Sequence, residues 1–260
     1  MDDQPMHTEP RVALVTGAGG GGTGRAIAVR LAKDSAVVVN DIDHDGGRHT
    51  VELIQQAGGQ AAYHPADVTS EAEVGALMQF AVDTFGGLDL LVNNAGGTPA
   101  PHFPDAPVAH WSRYLDLNLR APMLCIQYAL PHMRRRGGGS VVNISSVAGL
   151  GYALHDSPEY AAAKAGLIRL TATLDFLARR DRVRVNCLVP NWIGTPEVFE
   201  EIAAMSPEER ATVPDRLTPP EEIADAVVGF TEDDQAAGRV LVCWSAEPWR
   251  LVPITVRGDR

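Results

Sequence analysis

The sequence predicts a single doubly wound α/β domain, in which a mostly parallel sheet of seven strands carries helices on both faces. The length of 260 residues, with 45% hydrophobic and 21% charged residues, fits one compact domain. Short β-branched and aliphatic runs alternate with longer amphipathic stretches, the pattern of β-α-β units around a parallel sheet. A glycine-rich segment separates the first strand from the first helix. No internal repeat and no linker divides the chain.

The predicted elements follow one another in a regular order. The seven strands are expected at residues 11–16, 36–41, 60–64, 88–93, 140–144, 183–188 and 239–243. The helices between them are expected at residues 25–33, 46–57, 70–85, 109–135, 158–179 and 220–230. Residues 1–10 are predicted to be a disordered polar tail, and residues 11–260 to be the domain. Residues 194–219 are rich in proline and glutamate and follow a strand end, where such sheets bind ligands, so we expect a substrate lid there.

The composition excludes several classes of partner. The formal net charge of −11 argues against nucleic acid and anionic membrane surfaces, because both require clustered lysine and arginine. Cys125, Cys187 and Cys243 are far apart in apolar runs, so we expect buried free thiols in a reducing compartment and no metal site. The start of the chain lacks the basic and apolar regions of a signal peptide, and no apolar run approaches membrane-spanning length. The expected location is the cytoplasm.

The glycine-rich segment, residues 16–24, lies between a strand and a helix, as a phosphate-binding turn requires. Gly17, Gly22, Thr23 and Gly24 are therefore candidate cofactor contacts, although a plain tight turn has the same pattern. Asp41 ends the second strand, where a carboxylate can accept hydrogen bonds from ribose hydroxyls and repel a 2′-phosphate. The alternative for Asp41 is a solvated strand end. Because the glycine-rich segment contains no lysine or arginine, the sequence favours NAD over NADP.

Tyr160 and Lys164 lie four positions apart on a predicted helix, so their side chains share one face. A neighbouring ammonium favours the phenolate, which would bring the phenol pKa towards the range where proton transfer is efficient. Such a pair alone is usually ordinary surface packing. Its meaning therefore depends on the other motifs of the chain.

Those motifs occur in a fixed order. They are the glycine-rich segment, Asp67 after the third strand, Asn93-Asn94-Ala95-Gly96, Asn118, Ser145-Ser146 and Tyr160-Ala161-Ala162-Ala163-Lys164. With this set, residues 11–242 resemble the short-chain dehydrogenase/reductase family, which has a Rossmann fold. The resemblance implies that Tyr160 is the proton donor or acceptor and that Lys164 holds the nicotinamide ribose. It implies that Ser146 binds the substrate oxygen and that Asn118 holds a water linked to the lysine.

The resemblance also implies a set of cofactor contacts beyond the glycines. Asp67 and Val68 would line the adenine pocket, and Asn93 and Gly96 would stabilise the sheet beside the cofactor. Pro190, Ile193 and Thr195 follow the sixth strand, and the last two would contact the carboxamide. The remaining expected contacts are Asn94, Ala95, Tyr160 and Lys164.

Several positions depart from the family pattern. Four residues instead of three separate Gly17 from Gly22, so the glycine loop is expected to bulge. The loop between Ser146 and Tyr160 is one residue longer than expected and contains Tyr152 and His155; a solvated His155 is favoured over a substrate contact. Asn191 replaces the usual glycine after Pro190 and is expected to tolerate left-handed backbone. The residues with which the family usually ends are absent, and residues 243–250 stand in their place. Trp244 and Trp249 in this segment could shape the substrate pocket or a subunit contact.

The sequence thus predicts an NAD-dependent oxidoreductase that transfers a hydride between nicotinamide and a secondary alcohol or ketone. An NADPH-linked acyl or polyketide ketoreductase is one alternative, and an NAD-sensing protein without catalysis is another. A hydrophobic or cyclic substrate is indicated by a group of apolar residues after the sixth strand, namely Trp192, Ile193, Val198 and Phe199. A homodimer or homotetramer is expected because relatives pair the helices that correspond to those carrying Asn118 and Tyr160. The apolar outer stretches of these helices are expected to include Met123, Leu124 and Ile126.

Overall fold

A single sheet forms the centre of the structure, a computed structural model that describes residues 10–151 and 155–253. Its strands are β1 (Arg11–Thr16), β2 (Ser35–Asp41), β3 (Ala61–Pro65), β4 (Leu90–Asn93), β5 (Gly139–Ile144), β6 (Val183–Pro190), β7 (Val240–Cys243) and β8 (Arg250–Leu251). They lie in the order β3-β2-β1-β4-β5-β6-β7-β8. All pairings are parallel except the one between β7 and β8.

Ten α-helices connect and flank these strands in the described part of the chain. They are α1 (Thr23–Leu31), α2 (His44–Gln56), α3 (Glu71–Phe85), α4 (Val108–Leu115), α5 (Ala121–Arg136), α6 (Pro158–Thr173), α7 (Phe176–Asp181), α8 (Pro196–Ala204), α9 (Pro207–Arg210) and α10 (Pro220–Glu232). None of these helices is long and apolar enough to cross a lipid bilayer.

The doubly wound fold and the predicted strands are confirmed, with strand ends within two residues of those expected. The eighth strand was missed, because two residues after a proline give no alternating pattern. Residues 1–9 of the predicted tail and Tyr152 lie outside the described residues.

The strands read as continuous apolar runs because both faces of the sheet are covered. On one face α3 and α5 pack through residues such as Leu77 and Met133, which are fully buried. On the other face α1 and α10 pack through Ile27 and Ile223, which are also fully buried. Burying one such side chain contributes about 2 kcal/mol. The two layers therefore hold the central strands in register.

The long predicted helix 109–135 is interrupted by a π-helical turn at Asp116–Arg120. Pro122 lacks an N–H group, and its ring crowds the carbonyl four residues earlier, that of Asn118. The Asn118 side chain also bonds the carbonyl of Tyr114 at 2.9 Å, in competition with the helical pattern. The π turn consequently places Asn118 inside the protein, with no exposed surface.

The predicted helix 158–179 also divides in two. The hydroxyl of Thr173 bonds the carbonyls of Arg169 and Leu170, which weakens the helical pattern at that turn. Helix α6 ends there, and α7 begins three residues later. The residues that carry the predicted chemistry all lie before the break.

The strand order reverses between β1 and β4, which are neighbours although β2 and β3 lie between them in sequence. The helices that follow these two strands go to opposite faces, and a crevice opens at the carboxyl ends of the strands. Most of the predicted cofactor residues follow the ends of β1, β2, β3 and β4. The fold therefore collects them at one edge of the sheet.

Candidate active site

The glycine loop after β1 leads into α1 without a capping side chain. Gly22 precedes the helix, and the first turn contains no acidic residue, so its N–H groups can bind an anion. Gly17 has a φ of 65°, which favours glycine. A Cβ atom at Gly24 would overlap the carbonyl oxygen of Gly17. These positions need glycine for geometric reasons, which argues against an ordinary turn.

Asp41 at the end of β2 ties the glycine loop to the second strand. Its Oδ2 accepts the N–H of Gly19 at 2.7 Å, and its Oδ1 accepts the N–H of Asp43 at 3.0 Å. Each carboxylate oxygen has a second lone pair, so both can still accept a hydroxyl hydrogen. The carboxylate can thus order the loop and bind a ribose at the same time.

A cavity of about 320 Å³ opens beside Asp41. Its lining includes the predicted contacts Gly17, Asp41, Asp67, Val68, Asn94, Ala95 and Gly96. The size and the mixture of carboxylates, glycine backbone and apolar side chains fit the adenosine half of a dinucleotide. The residues present therefore fit the cofactor that the sequence implies.

Seven further side chains line this cavity and were not predicted from the sequence: Asn40, Ile42, Asp43, Ala66, Thr69, Arg113 and Leu117. The side chain of Ile42 is notable because 64% of its surface is exposed although it is aliphatic. An apolar residue between Asp41 and Asp43 is a signal that the sequence does contain. Arg113 comes from α4, and no local pattern placed it beside Asp67, whose Oδ2 is 3.8 Å away.

The segment after β4 is bonded to the end of β1. The Asn94 side chain donates to the carbonyls of Thr16 and Gly17 at 3.0 and 2.9 Å. Asn93 lies deeper in the sheet, where its amide donates to Asn143 at 2.8 Å. The Asn93 side chain thus links β4 to its neighbour β5.

Tyr160, Lys164, Ser146 and Asn118 converge at the carboxyl ends of β4 and β5. The Nζ atom of Lys164 lies 5.4 Å from the centre of the Tyr160 ring and donates to the carbonyl of Ile144 at 3.0 Å. The Ser146 hydroxyl accepts the N–H of Ala148 at 3.1 Å and lies close enough to Tyr160 to act on its pKa. A hydroxyl, a phenol and an ammonium therefore share one small region.

Burial dominates the electrostatics of this region. Burial raises the pKa of Tyr160, and only Ser146 acts in the lowering direction. Burial also lowers the pKa of Lys164 to about 8, so the ammonium is still mostly protonated at neutral pH. The lowering of the Tyr160 pKa by Lys164 stays a prediction for the enzyme with its cofactor bound. Tyr160 keeps its proton near neutral pH.

The side chain of Asn118 forms two hydrogen bonds with the backbone of Gly97. Its Nδ2 donates to the Gly97 carbonyl at 2.8 Å, and its Oδ1 accepts the Gly97 N–H at 3.2 Å. A Cβ atom at Gly96 would lie 2.8 Å from Asn118 Oδ1 and 3.2 Å from Lys164 Nζ. Only a glycine at this position lets the asparagine and the lysine approach so closely.

The segment after β6 does not line the adenosine cavity. Pro190 is the last residue of β6, and Ile193 forms an isolated bridge with Thr218. Thr195 caps α8 by accepting the N–H of Val198 at 3.4 Å. Asn191 does not adopt the left-handed conformation considered for it.

The predicted lid begins beside the glycine loop. A Cβ atom added at Gly22 would lie 3.0 Å from the side chain of Thr195. One added at Gly21 would lie 3.3 Å from the side chain of Pro196. Helices α8 and α9 expose most of their surface. The start of the predicted lid lies beside the amino end of α1.

Two further positions of interest lie at the other side of the site. The ring of His155 stacks on Tyr160 with centres 5.6 Å apart, and its Nδ1 accepts the N–H of Ser157 at 3.1 Å. His155 is exposed, as favoured from the sequence, but it borders the phenol. Trp244 packs on the same small cluster of β6 and β7 as Val147, which follows Ser146. This contact favours a pocket role for Trp244 over a subunit contact.

Comparison with known proteins gives consistent results. A family model described as short chain dehydrogenase matches residues 11–205. The cis-4-hydroxycyclohexanecarboxylate dehydrogenase of Sinomonas cyclohexanicum is 38% identical over 86% of this chain and 90% of its own length. The cyclohexanol dehydrogenase of an Acinetobacter strain is 34% identical over 86% of this chain and 88% of its own. A solved 7α-hydroxysteroid dehydrogenase, in complex with NADH and 7-oxo glycochenodeoxycholic acid, superposes with a TM-score of 0.83 and 34% identity over 92% of this chain and 94% of that one.

Proposed function

The chain belongs to the short-chain dehydrogenase family, and from this premise we propose that it is an NAD-dependent dehydrogenase of cyclic secondary alcohols with Tyr160 as its acid/base. It is a nicotinamide-dependent oxidoreductase of alcohols and ketones. The observation that carries the proposed mechanism is the convergence of Ser146, Tyr160 and Lys164 at one edge of the sheet.

The proposed chemistry assigns one task to each residue. The nicotinamide cofactor, when bound, supplies the hydride donor or acceptor. In ketone reduction Tyr160 gives its phenolic proton to the carbonyl oxygen, and in alcohol oxidation the phenolate takes the hydroxyl proton. Ser146 donates a hydrogen bond that orients the same oxygen. Because burial keeps Tyr160 protonated, alcohol oxidation by the enzyme should accelerate as the pH rises above neutral.

The preference for NAD over NADP rests on the charge beside the ribose. The Asp41 carboxylate lies in the adenosine cavity and would repel a 2′-phosphate. The arginine nearest to the loop, Arg25, donates to the Gly19 carbonyl and to the Thr50 hydroxyl. Its charge is therefore held by the protein's own backbone and side chains. These contacts support NAD as the cofactor.

A cyclic substrate is supported by two independent lines. The relatives named above include dehydrogenases of cyclohexanol and of a hydroxycyclohexane carboxylate. Two segments that follow the carboxyl ends of strands carry exposed aromatic rings: Phe103, 52% exposed, follows β4, and Phe199, 57% exposed, follows β6. Apolar surface of this kind marks a site for an apolar ligand.

We also propose a cellular location and an assembly state for the protein. Cys125, Cys187 and Cys243 are free and buried, in keeping with a reducing compartment such as the cytoplasm. A homodimer or homotetramer is proposed by analogy with the family. Of the three residues expected on the outer helix surface, only Met123 is exposed; Leu124 and Ile126 were placed wrongly, since they are buried in the core.

The experiment that tests the proposed function is a fluorescence titration with NADH and NADPH, followed by an NAD-coupled screen of cyclic and open-chain alcohols. We expect tighter binding of NADH and oxidation of cyclohexanol. A preference for NADPH would instead support a ketoreductase. Tight NADH binding without turnover of any alcohol or ketone would contradict the enzymatic proposal and support a sensor.

A further inference from the structure

Residues 97–106, which connect β4 to α4, form a loop beside the catalytic residues; we call it the wall loop. Its first residue, Gly97, is held on both backbone groups by Asn118. The hydroxyl of Thr98 is 2.8 Å from that of Ser157, the residue that precedes α6. The wall loop is thus attached at its start to both elements that carry catalytic side chains.

A buried carboxylate makes the next attachment. The Glu159 side chain is only 3% exposed, although glutamate is rarely buried unless it is paired. Its Oε1 lies 3.2 Å from Nδ1 of His102, and its Oε2 accepts the N–H of Phe103 at 3.3 Å. Both carboxylate oxygens therefore hold the middle of the wall loop.

The protonation states in this contact follow from the hydrogen bonds. Burial raises the pKa of Glu159, but the bonds from its own backbone N–H, from His102, from Phe103 and from Ser157 outweigh burial and lower it. The side chain also lies in the first turn of α6, where the helix dipole favours an anion. Since an ionised carboxylate only accepts, His102 must carry a hydrogen on Nδ1.

The attachment fixes an exposed aromatic ring. Phe103 directly follows His102 and leaves 52% of its surface exposed. Its ring meets Trp111 edge-on, with centres 6.4 Å apart and planes at 90°. The ring is therefore held by an aromatic contact with α4, while 52% of the Phe103 surface remains exposed. Glu159 immediately precedes Tyr160, so the carboxylate couples the position of this ring to that of the phenol.

We propose that Glu159 is a positioning residue that fixes the wall loop to the catalytic helix, so that Phe103 forms an apolar wall that selects ring-shaped substrates. This inference rests on the proposed alcohol dehydrogenase function. It adds a residue that neither touches the reacting atoms nor belongs to the predicted site. The expected consequence of its loss is weaker binding of cyclic alcohols with little effect on the chemical step.

The first test compares Glu159→Ala and Glu159→Gln with the wild-type enzyme on cyclohexanol and 2-propanol. For Glu159→Ala we expect the KM for cyclohexanol to rise about tenfold while kcat changes less than about threefold. The KM for 2-propanol should change much less, because that molecule is too small to need the wall. Glu159→Gln retains one acceptor oxygen and should restore part of the cyclohexanol KM. Glu232→Ala, at an exposed position on α10, is the control.

The second test does not depend on turnover. Loss of the attachment should free Phe103 from Trp111 and increase quenching of tryptophan fluorescence by acrylamide. That increase should disappear when Glu159→Ala is combined with Trp111→Phe. If Glu159→Ala does not fold, Glu159→Gln is used in the same comparison, and NADH binding reports the integrity of the fold.

The outcomes distinguish failure of the positioning role of Glu159 from failure of the proposed dehydrogenase function. An active wild-type enzyme whose cyclohexanol KM is unchanged in folded Glu159→Ala would overturn the positioning role. An equal rise of KM for both alcohols would overturn the selectivity for rings. If the wild-type protein oxidises neither alcohol, the proposed function fails, and unchanged quenching in Glu159→Ala would then overturn the wall as well.

Discussion

Asp41 shows how one side chain can serve both structure and recognition. The carboxylate orders the glycine loop through Gly19 and still faces the adenosine cavity. Removing the whole side chain would disturb both functions. Asparagine retains one acceptor oxygen for the Gly19 N–H and removes the negative charge, although it also loses the bond from the Asp43 N–H.

We therefore expect Asp41→Asn to reduce the ratio of the NADPH Kd to the NADH Kd by about tenfold. This corresponds to a loss of roughly 1.4 kcal/mol in the difference between the two binding free energies. Parallel fluorescence titrations with both cofactors measure this ratio. Asp45→Asn, which changes an exposed carboxylate in the first turn of α2, should leave the ratio unchanged. An unaltered ratio in Asp41→Asn would mean that another group selects the cofactor.

Lys164 illustrates the energetic cost of a buried catalytic group. Its pKa falls from the ordinary 10.5 to about 8 because burial disfavours the charged form. Between these two values the unfolded chain binds more protons than the folded protein, so this group makes stability rise with pH across that window. Below pH 8 the burial cost is fully present.

Lys164→Met should consequently stabilise the protein at neutral pH while removing catalysis. The relieved cost is up to about 3 kcal/mol, less about 1 kcal/mol for the lost bond to Ile144. Thermal unfolding should show a higher Tm for the variant at pH 7, and the gap should close towards about pH 10. Lys33→Met, which alters the only other lysine of the chain, should not show this pattern. A lower Tm for Lys164→Met at pH 7 would refute the account.

Most of the strands and helices could be predicted because apolar residues follow a regular pattern along each of them. The strands of the sheet are buried on both faces and therefore read as apolar runs. The π turn was not predicted, although Pro122 was a usable signal for it. The position of the predicted lid beside the glycine loop had no signal, because it depends on contacts between segments that are distant in sequence.

The glycine loop allows a paired test of which glycines are required. A Cβ at Gly24 would overlap the Gly17 carbonyl, whereas one at Gly20 meets only the Glu197 side chain, at 3.9 Å. Gly24→Ala should therefore weaken NADH binding by at least about tenfold and lower the Tm. Gly20→Ala should keep the wild-type fold and gain up to about 1 kcal/mol of stability from a less flexible unfolded chain. Titration and thermal unfolding of both variants measure this, and equal changes in Tm would contradict the loop geometry.

At the scale of the molecule, the reversal of strand order between β1 and β4 organises the site. It gathers residues from the ends of four strands, which is why Gly17, Asp41, Asp67 and Asn94 could be predicted as neighbours from sequence motifs alone. Arg113 and Glu159 could not be predicted, because their roles arise from packing between helices and loops. Their spacing in the sequence carries no motif.

The assembly state is a property of the whole molecule that Met123 can test. Its side chain is 48% exposed on α5, on the helix surface proposed to pair between subunits. Sedimentation should give a mass of two or four times the 27.8 kDa chain. Met123→Glu should shift the distribution towards smaller species, because a charge is costly in an apolar contact. A monomeric wild-type protein would rule out the proposed homo-oligomer.

The central claim is that Tyr160 moves the proton while the cofactor moves the hydride, and Tyr160→Phe tests it most directly. The substitution removes one hydroxyl and leaves the ring contacts with His155 and Lys164 in place. We predict that kcat with cyclohexanol falls by about a hundredfold or more while the Kd for NADH stays within about twofold. Tyr128→Phe, which removes an exposed hydroxyl bonded to Glu71, should leave both values unchanged. Turnover by Tyr160→Phe close to that of the wild-type enzyme would contradict the assignment.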